Sequence, residues 1–200
     1  MRLELPSLLR GRGTTVVYVT QDYKEAMALA DNIVVLTEGS VTQHGTPADI
    51  YLQPATIEIA RLFGDPVINL FDVTPRVNGQ GVCIDLSGGE LQIQGATEQL
   101  QGRDCVLGIR PEYVSFVPPG TPGSMVVGIE AETPINEKVI TLATTTGGRE
   151  LLVSRPAGSP GPDPEGAYVE LKHGSVLLFD KATGELLAGF DNVSAAGAAA

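Results

Sequence analysis

Apolar positions follow two regimes along this chain, and the change falls near residue 69. From Thr14 to Thr20 β-branched residues follow one another without polar alternation, the pattern of a strand covered on both faces in a parallel sheet. A helix is predicted directly after it. Asp22 can cap that helix, Glu25 can complete a capping box, and Ala26, Met27, Leu29 and Ala30 form an apolar stripe. Ile33 to Leu36 and Val41 to His44 read as strands joined at Glu38-Gly39-Ser40, and Thr46-Pro47 supplies an N-cap and a first helical position. Another short helix is predicted from Pro54, with Ile57, Ala60 and Phe63 on one face and Gly64 as C-terminal cap, before Asp65-Pro66 breaks the run. Arg2 to Gly11, leucine-rich but interrupted by Pro6, reads as the tail of a helix whose start is expected outside the chain.

From Asn69 onward the pattern turns to short apolar runs punctuated by Gly, Pro, Asn and Asp. Strands are predicted at Leu70–Val73, Gly81–Leu86, Glu90–Gln94, Cys105–Arg110, Val114–Val117, Met125–Glu132, Lys138–Thr144, Glu150–Ser154, Ala167–Lys172 and Val176–Asp180. Several alternate, as Val169 and Leu171 do against Glu170 and Lys172, so one face is buried and the other wet. Short strands at this spacing imply a small barrel or sandwich. The Gly- and Pro-rich stretch Gly158 to Gly166 is expected as a surface loop. The expected division is 1–68, 69–192 and a disordered tail, 193–200.

Composition narrows the function classes. Thirteen basic and 24 acidic side chains give a net charge of −11, and both parts share the sign: 5 basic against 8 acidic up to Leu70, then 8 against 16. That balance disfavours a nucleic-acid partner, which needs a basic groove, but suits docking to a basic patch on a protein. Cys83 and Cys105 are isolated thiols, so neither a zinc site nor a redox pair is expected, and no metal site is assigned. His44 and His173 lack a nearby nucleophile signature, so no hydrolase is expected. No apolar run is long enough to cross a bilayer and no secretory signal is evident, so a cytoplasmic location is expected; the Asn192-Val193-Ser194 sequon is then incidental.

The run Val19-Thr20-Gln21-Asp22, Glu25-Ala26-Met27, Ala30-Asp31, Glu38-Gly39 and Gly45-Thr46-Pro47 resembles the switch region of ABC-transporter ATP-binding subunits of the sugar and glycerol-phosphate importer group. In that family a histidine stands where this chain has Gln21. The resemblance makes Gln21 and Asp22 the switch position, where glutamine can hydrogen-bond but cannot titrate. The family also implies a phosphate loop of the form G-x-x-x-x-G-K-[ST] and a Walker carboxylate followed by Glu; the sequence contains neither. Leu86-Ser87-Gly88-Gly89-Glu90 differs by one residue from the family's LSGGQ signature. It follows the switch instead of preceding it and lies between two predicted strands, so it reads as a hairpin turn.

The second half is similar to the transport-associated OB-type domain of the same importer group, most clearly in Leu107-Gly108-Ile109-Arg110-Pro111-Glu112 and again in Phe179-Asp180 with Thr183-Gly184. Pro111 withdraws a ladder donor, so Arg110 and Glu112 are expected at a strand break, free to pair or to face a partner. The fold class expected is therefore α+β: a partial α/β piece of an ABC ATPase domain followed by an all-β OB-like barrel or sandwich. The resemblance implies the C-terminal regulatory and dimerisation part of an importer's ATP-binding subunit, with no catalytic residue of its own, and a homodimer through the β domain. Permease subunits and a regulatory protein are the further partners implied, ATP and Mg belong to the longer parent, and the location is peripheral to the inner membrane. The alternative is a small-ligand sensor for an oxyanion or sugar, with Arg110, Arg149 and Arg155 as contacts.

Overall fold

A computed structural model describes residues 15–78, 81–86, 90–93, 98–121, 124–163, 166–171, 176–190 and 193–195. The helix tail expected at Arg2 to Gly11, the turn residues 87–89, His173 and the sequon's Asn192 lie outside the described residues. The chain divides into two units, Met1–Phe63 and Gly64–Ala200.

In the first unit, helix α1 (Tyr23–Leu29) starts where Asp22 caps it, its carboxylate accepting from the Lys24 and Glu25 N–H groups. The Glu25 carboxylate accepts from the Tyr18 and Thr20 hydroxyls, each at 3.0 Å, and the Asp22 N–H donates to Thr20 Oγ1. Strands β1 (Ile33–Thr37) and β2 (Ser40–Gly45) pair antiparallel. Their turn needs left-handed backbone at Glu38 (φ 50°) and Gly39 (φ 80°), and glycine adopts that conformation at no steric cost. Helix α2 (Pro47–Leu52) opens on a full capping box between Thr46 and Asp49, and the hydroxyl and N–H of Thr46 hold the Asp49 carboxyl below its ordinary pKa. Helix α3 (Ile57–Leu62) begins three residues after Pro54, where the sequence pattern starts it, because Thr56 supplies the cap. Ile33, Val35, Ile50, Ile59 and Phe63 form the core, with Tyr23, Ala26 and Met27 laid against it and the Tyr23 and Phe63 rings edge to face at 6.1 Å.

The strand expected at Thr14–Thr20 is not formed over its described part. Residues 15–20 have no ladder partner among the described residues, and Val17 and Val19 are each 88% exposed. A run that is apolar on both sides needs neighbouring strands on its edges and cover on its faces, and the described residues of the first unit offer it no neighbouring strand.

The second unit is β-rich. Strand β3 (Asn69–Val73) is followed by β4 (Arg76–Asn78), β5 (Gly81–Asp85), β6 (Glu90–Ile93), β7 (Cys105–Ile109) and β8 (Val114–Val117). The long hairpin β9 (Met125–Ile135) and β10 (Lys138–Thr145) comes next, then β11 (Glu150–Pro156), β12 (Ala167–Leu171), β13 (Val176–Asp180), β14 (Leu186–Phe190) and β15 (Val193–Ala195). The ladders give a sheet β11-β10-β9-β12-β8, a second β14-β13-β7-β3 and a third β15-β6-β5-β4; among the described residues no ladder closes a barrel. Side chains from all three sheets, including Ile84, Ile93, Leu107, Ile109, Val153, Val169 and Leu178, share one core.

Three strands were not anticipated. Arg76–Asn78 is short and polar, Leu186–Phe190 lacks alternation, and Val193–Ala195 pairs with β6 inside the stretch expected to be a disordered tail. Two devices tie the sheets together. Asn69, buried at the start of β3, donates through Nδ2 to the Leu152 carbonyl (2.9 Å) and accepts the Leu152 N–H through Oδ1 (2.7 Å), so one side chain serves the outer edge of β11 as a strand would. Gly108 in β7 brings Ile68 and Phe179 so close that a Cβ would stand 3.0 Å from each. Among the described residues no helix is long and apolar enough to cross a membrane.

Candidate functional site

The residues singled out by the sequence fall at separate places. Gln21 is exposed on a bend between residues 15–20 and α1, and Asp22 spends its carboxylate on capping the helix. In the second unit β7 ends at Ile109, and Pro111–Tyr113 make a single 3-10 turn closed by the Tyr113 N–H on the Arg110 carbonyl. The chain breaks there because Pro111 fixes its own φ and carries no N–H for the ladder. Arg110 is 2% exposed, the largest fully buried side chain among the described residues, and Pro111 is buried too; Glu112 is exposed. Of the three, only Glu112 presents its side chain at the surface of this unit.

Arg149 and Arg155 are apart from Arg110 and from each other in role. Arg155 on β11 donates through Nη2 to Glu132 on β9 (3.0 Å) and through Nη1 to the Ser159 carbonyl, so it clamps the loop after β11. That hydrogen bond from Arg155 is the main reason the Glu132 carboxyl titrates below its ordinary value. Arg149, in the turn between β10 and β11, reaches across to β3 and donates to the Asp72 carbonyl at 2.9 Å.

Arg149 also lines an open cleft of about 430 Å³ whose wall is more polar than apolar, with Asp72, Thr74, Arg76, Asp85, Asp104 and Lys181 around it and Val73 as its apolar residue. Lys181, just beyond β13, pairs with the Asp72 carboxylate at 2.9 Å. Asp180 beside it takes the Arg103 Nε and Nη2 groups on one oxygen (3.0 and 2.6 Å) and the Ala182 and Thr183 N–H groups on the other. The Thr183 N–H first, and Arg103 second, keep the Asp180 carboxyl below the ordinary range. These charged residues arrive from strand ends scattered between positions 72 and 181, so no local spacing announces them. The Asp180-Lys181-Ala182-Thr183 turn was legible; its ion pairs were not.

Both thiols are buried and their pKa values raised, chiefly by burial; Cys83 Sγ accepts from Asn78 Nδ2 and donates to Gln92 Oε1. These are packing cysteines, inert as nucleophiles. Among the described residues no group of three or more His, Cys, Asp or Glu side chains could hold a metal ion.

No family model matches the chain. It is similar to curated proteins described as sn-glycerol-3-phosphate import ATP-binding protein UgpC: that of Escherichia coli K12 and that of Shigella boydii serotype 4 are each 37% identical over 187 residues, 92% of this chain and 51% of the relative. The protein of that name from Escherichia coli O157:H7 is 36% identical over the same share. The chain thus spans about half the length of the curated relatives it matches.

Proposed function

This chain is a relative of the ATP-binding subunits of the sugar and glycerol-phosphate importer group and fits a C-terminal portion of one; from that premise we propose that it is the regulatory and dimerisation part of such a subunit. The second unit is the OB-type transport-associated module, and the first carries the tail of the ATPase domain. On this reading the chain does not hydrolyse ATP by itself. In the longer parent, ATP and Mg would be held by segments this sequence lacks, permease subunits would be the partners at the inner membrane, and the whole would work from the cytoplasmic side.

The observation that supports the reading best is the state of residues 15–21. Gln21, at the switch position, stands on an exposed bend at the end of a segment that has no strand partner among the described residues. A group that is to sense a γ-phosphate has to be held against it by fixed neighbours. In this reading the exposed Glu112 contacts a partner, and buried Arg110 and Pro111 set its position.

The test is Mg-ATP turnover by the purified chain. The expected outcome is a rate indistinguishable from buffer; turnover on the order of one per second or faster would overturn the reading.

A further inference from the structure

We propose that the polar cleft of the second unit, between Asp72, Arg76, Asp85, Asp104, Arg149 and Lys181, binds a small neutral polyhydroxylated molecule. The inference concerns the second unit alone and does not depend on the importer assignment.

Convergence is the first argument. The six side chains come from β3, β4, the end of β5, the approach to β7, the β10–β11 turn and the exit of β13, and they line a solvent-open cleft of about 430 Å³. Two of the heads are also held from within the cluster. Asp72 holds Lys181 through its carboxylate and Arg149 through its carbonyl, contacts that span 109 and 77 residues of sequence.

The chemistry of the wall then selects the ligand. Three cationic heads share the wall with three carboxylates, and the chain as a whole carries −11. An oxyanion entering there meets as many carboxylates as cations and gains little net attraction. A divalent metal is disfavoured by those cations, and among the described residues no metal-binding group exists. The lining is more polar than apolar, with Val73 the single apolar residue among those that form it. A hydroxyl group donates one hydrogen bond and accepts two. A vicinal diol can therefore donate to Asp85 or Asp104 while accepting from Arg149 or Arg76, and every added hydroxyl repeats the match. Arg149 suits the task because its planar fork has further N–H groups beyond the one given to the Asp72 carbonyl. A zwitterionic amino acid has one pole of each sign and leaves most of the wall unmatched.

The experiment is a chemical-shift titration of the isotope-labelled full chain with glycerol, myo-inositol and glucose, set beside sodium phosphate and glycine at matched ionic strength. The expected result is a saturable response to at least one polyol, centred on Asp72–Arg76, Asp85, Asp104, Arg149 and Lys181, and weakened roughly tenfold or more in Arg149→Gln. Asp104→Asn, an exposed and nearly isosteric change, repeats the test should the Arg149 variant disturb the turn. Saturation by phosphate or by glycine in place of the polyols overturns the proposal. So does silence from every polyol up to about 50 mM, or polyol binding of equal strength in both variants. None of these outcomes touches Mg-ATP turnover, so the two readings fail separately.

Discussion

The carboxylate of Asp180 gathers a turn and a distant arginine onto two oxygen atoms: the N–H groups of Ala182 and Thr183 on one, the Arg103 guanidinium on the other. All four bonds favour the ionised form, which is why its pKa is depressed. A depressed carboxyl contributes stability that is fully present above its unfolded value, about 3.9, and is lost as pH falls through the lower folded value. Asp180→Asn should therefore melt below the parent at neutral pH, and the gap should close as the pH drops below about 4; thermal melts of both proteins across that window check it. A constant gap would mean the charge is idle. Arg103 and Asp180 stand 77 positions apart, and pairing at that range is set by sheet register, which no local pattern carries. Arg110 illustrates the opposite difficulty. Its place at a strand break was legible from Pro111, but its burial was not, since an arginine in a sequence gives no sign of the cavity that will receive it.

At the scale of elements, alternation located most of β3 and β5 to β13 to within a few residues, because each of these strands sets an apolar side against the shared core. It missed β4, β14 and β15, whose existence rests on pairing with a neighbour and not on their own composition. It also promised a strand at Thr14–Thr20 from composition alone, and no ladder forms over its described part. The edges carry their own logic. Only Met125–Val127 of β9 pairs with β12; beyond it the same edge has no ladder partner among the described residues and bears Glu130, Glu132 and Pro134, charges and a missing donor that discourage a second strand from adding. The outer edge of β11 is served instead by the Asn69 side chain. Asn69→Ala should leave the Leu152 N–H and carbonyl without that partner and lower stability by roughly 1–3 kcal/mol, read from urea unfolding. An unchanged midpoint would show the clip to be dispensable.

For the whole molecule the importer reading implies two copies joined through the β unit. Light scattering at micromolar concentration should then return about twice the chain mass of 20.9 kDa; a strictly monomeric mass would remove dimerisation from the reading. Charge of one sign in both parts means that such a pairing has to overcome repulsion, so the dimer fraction should rise with salt.

The Asn69 clip also has a meaning in time. Its two halves lie 83 residues apart, so Asn69 is synthesised well before Leu152 exists. At ordinary synthesis rates that interval is about 4 to 17 s. Over that wait the first strand of the β unit can pair with β7, but the bond that joins its sheet to β11 has to come later, once Leu152 has been made.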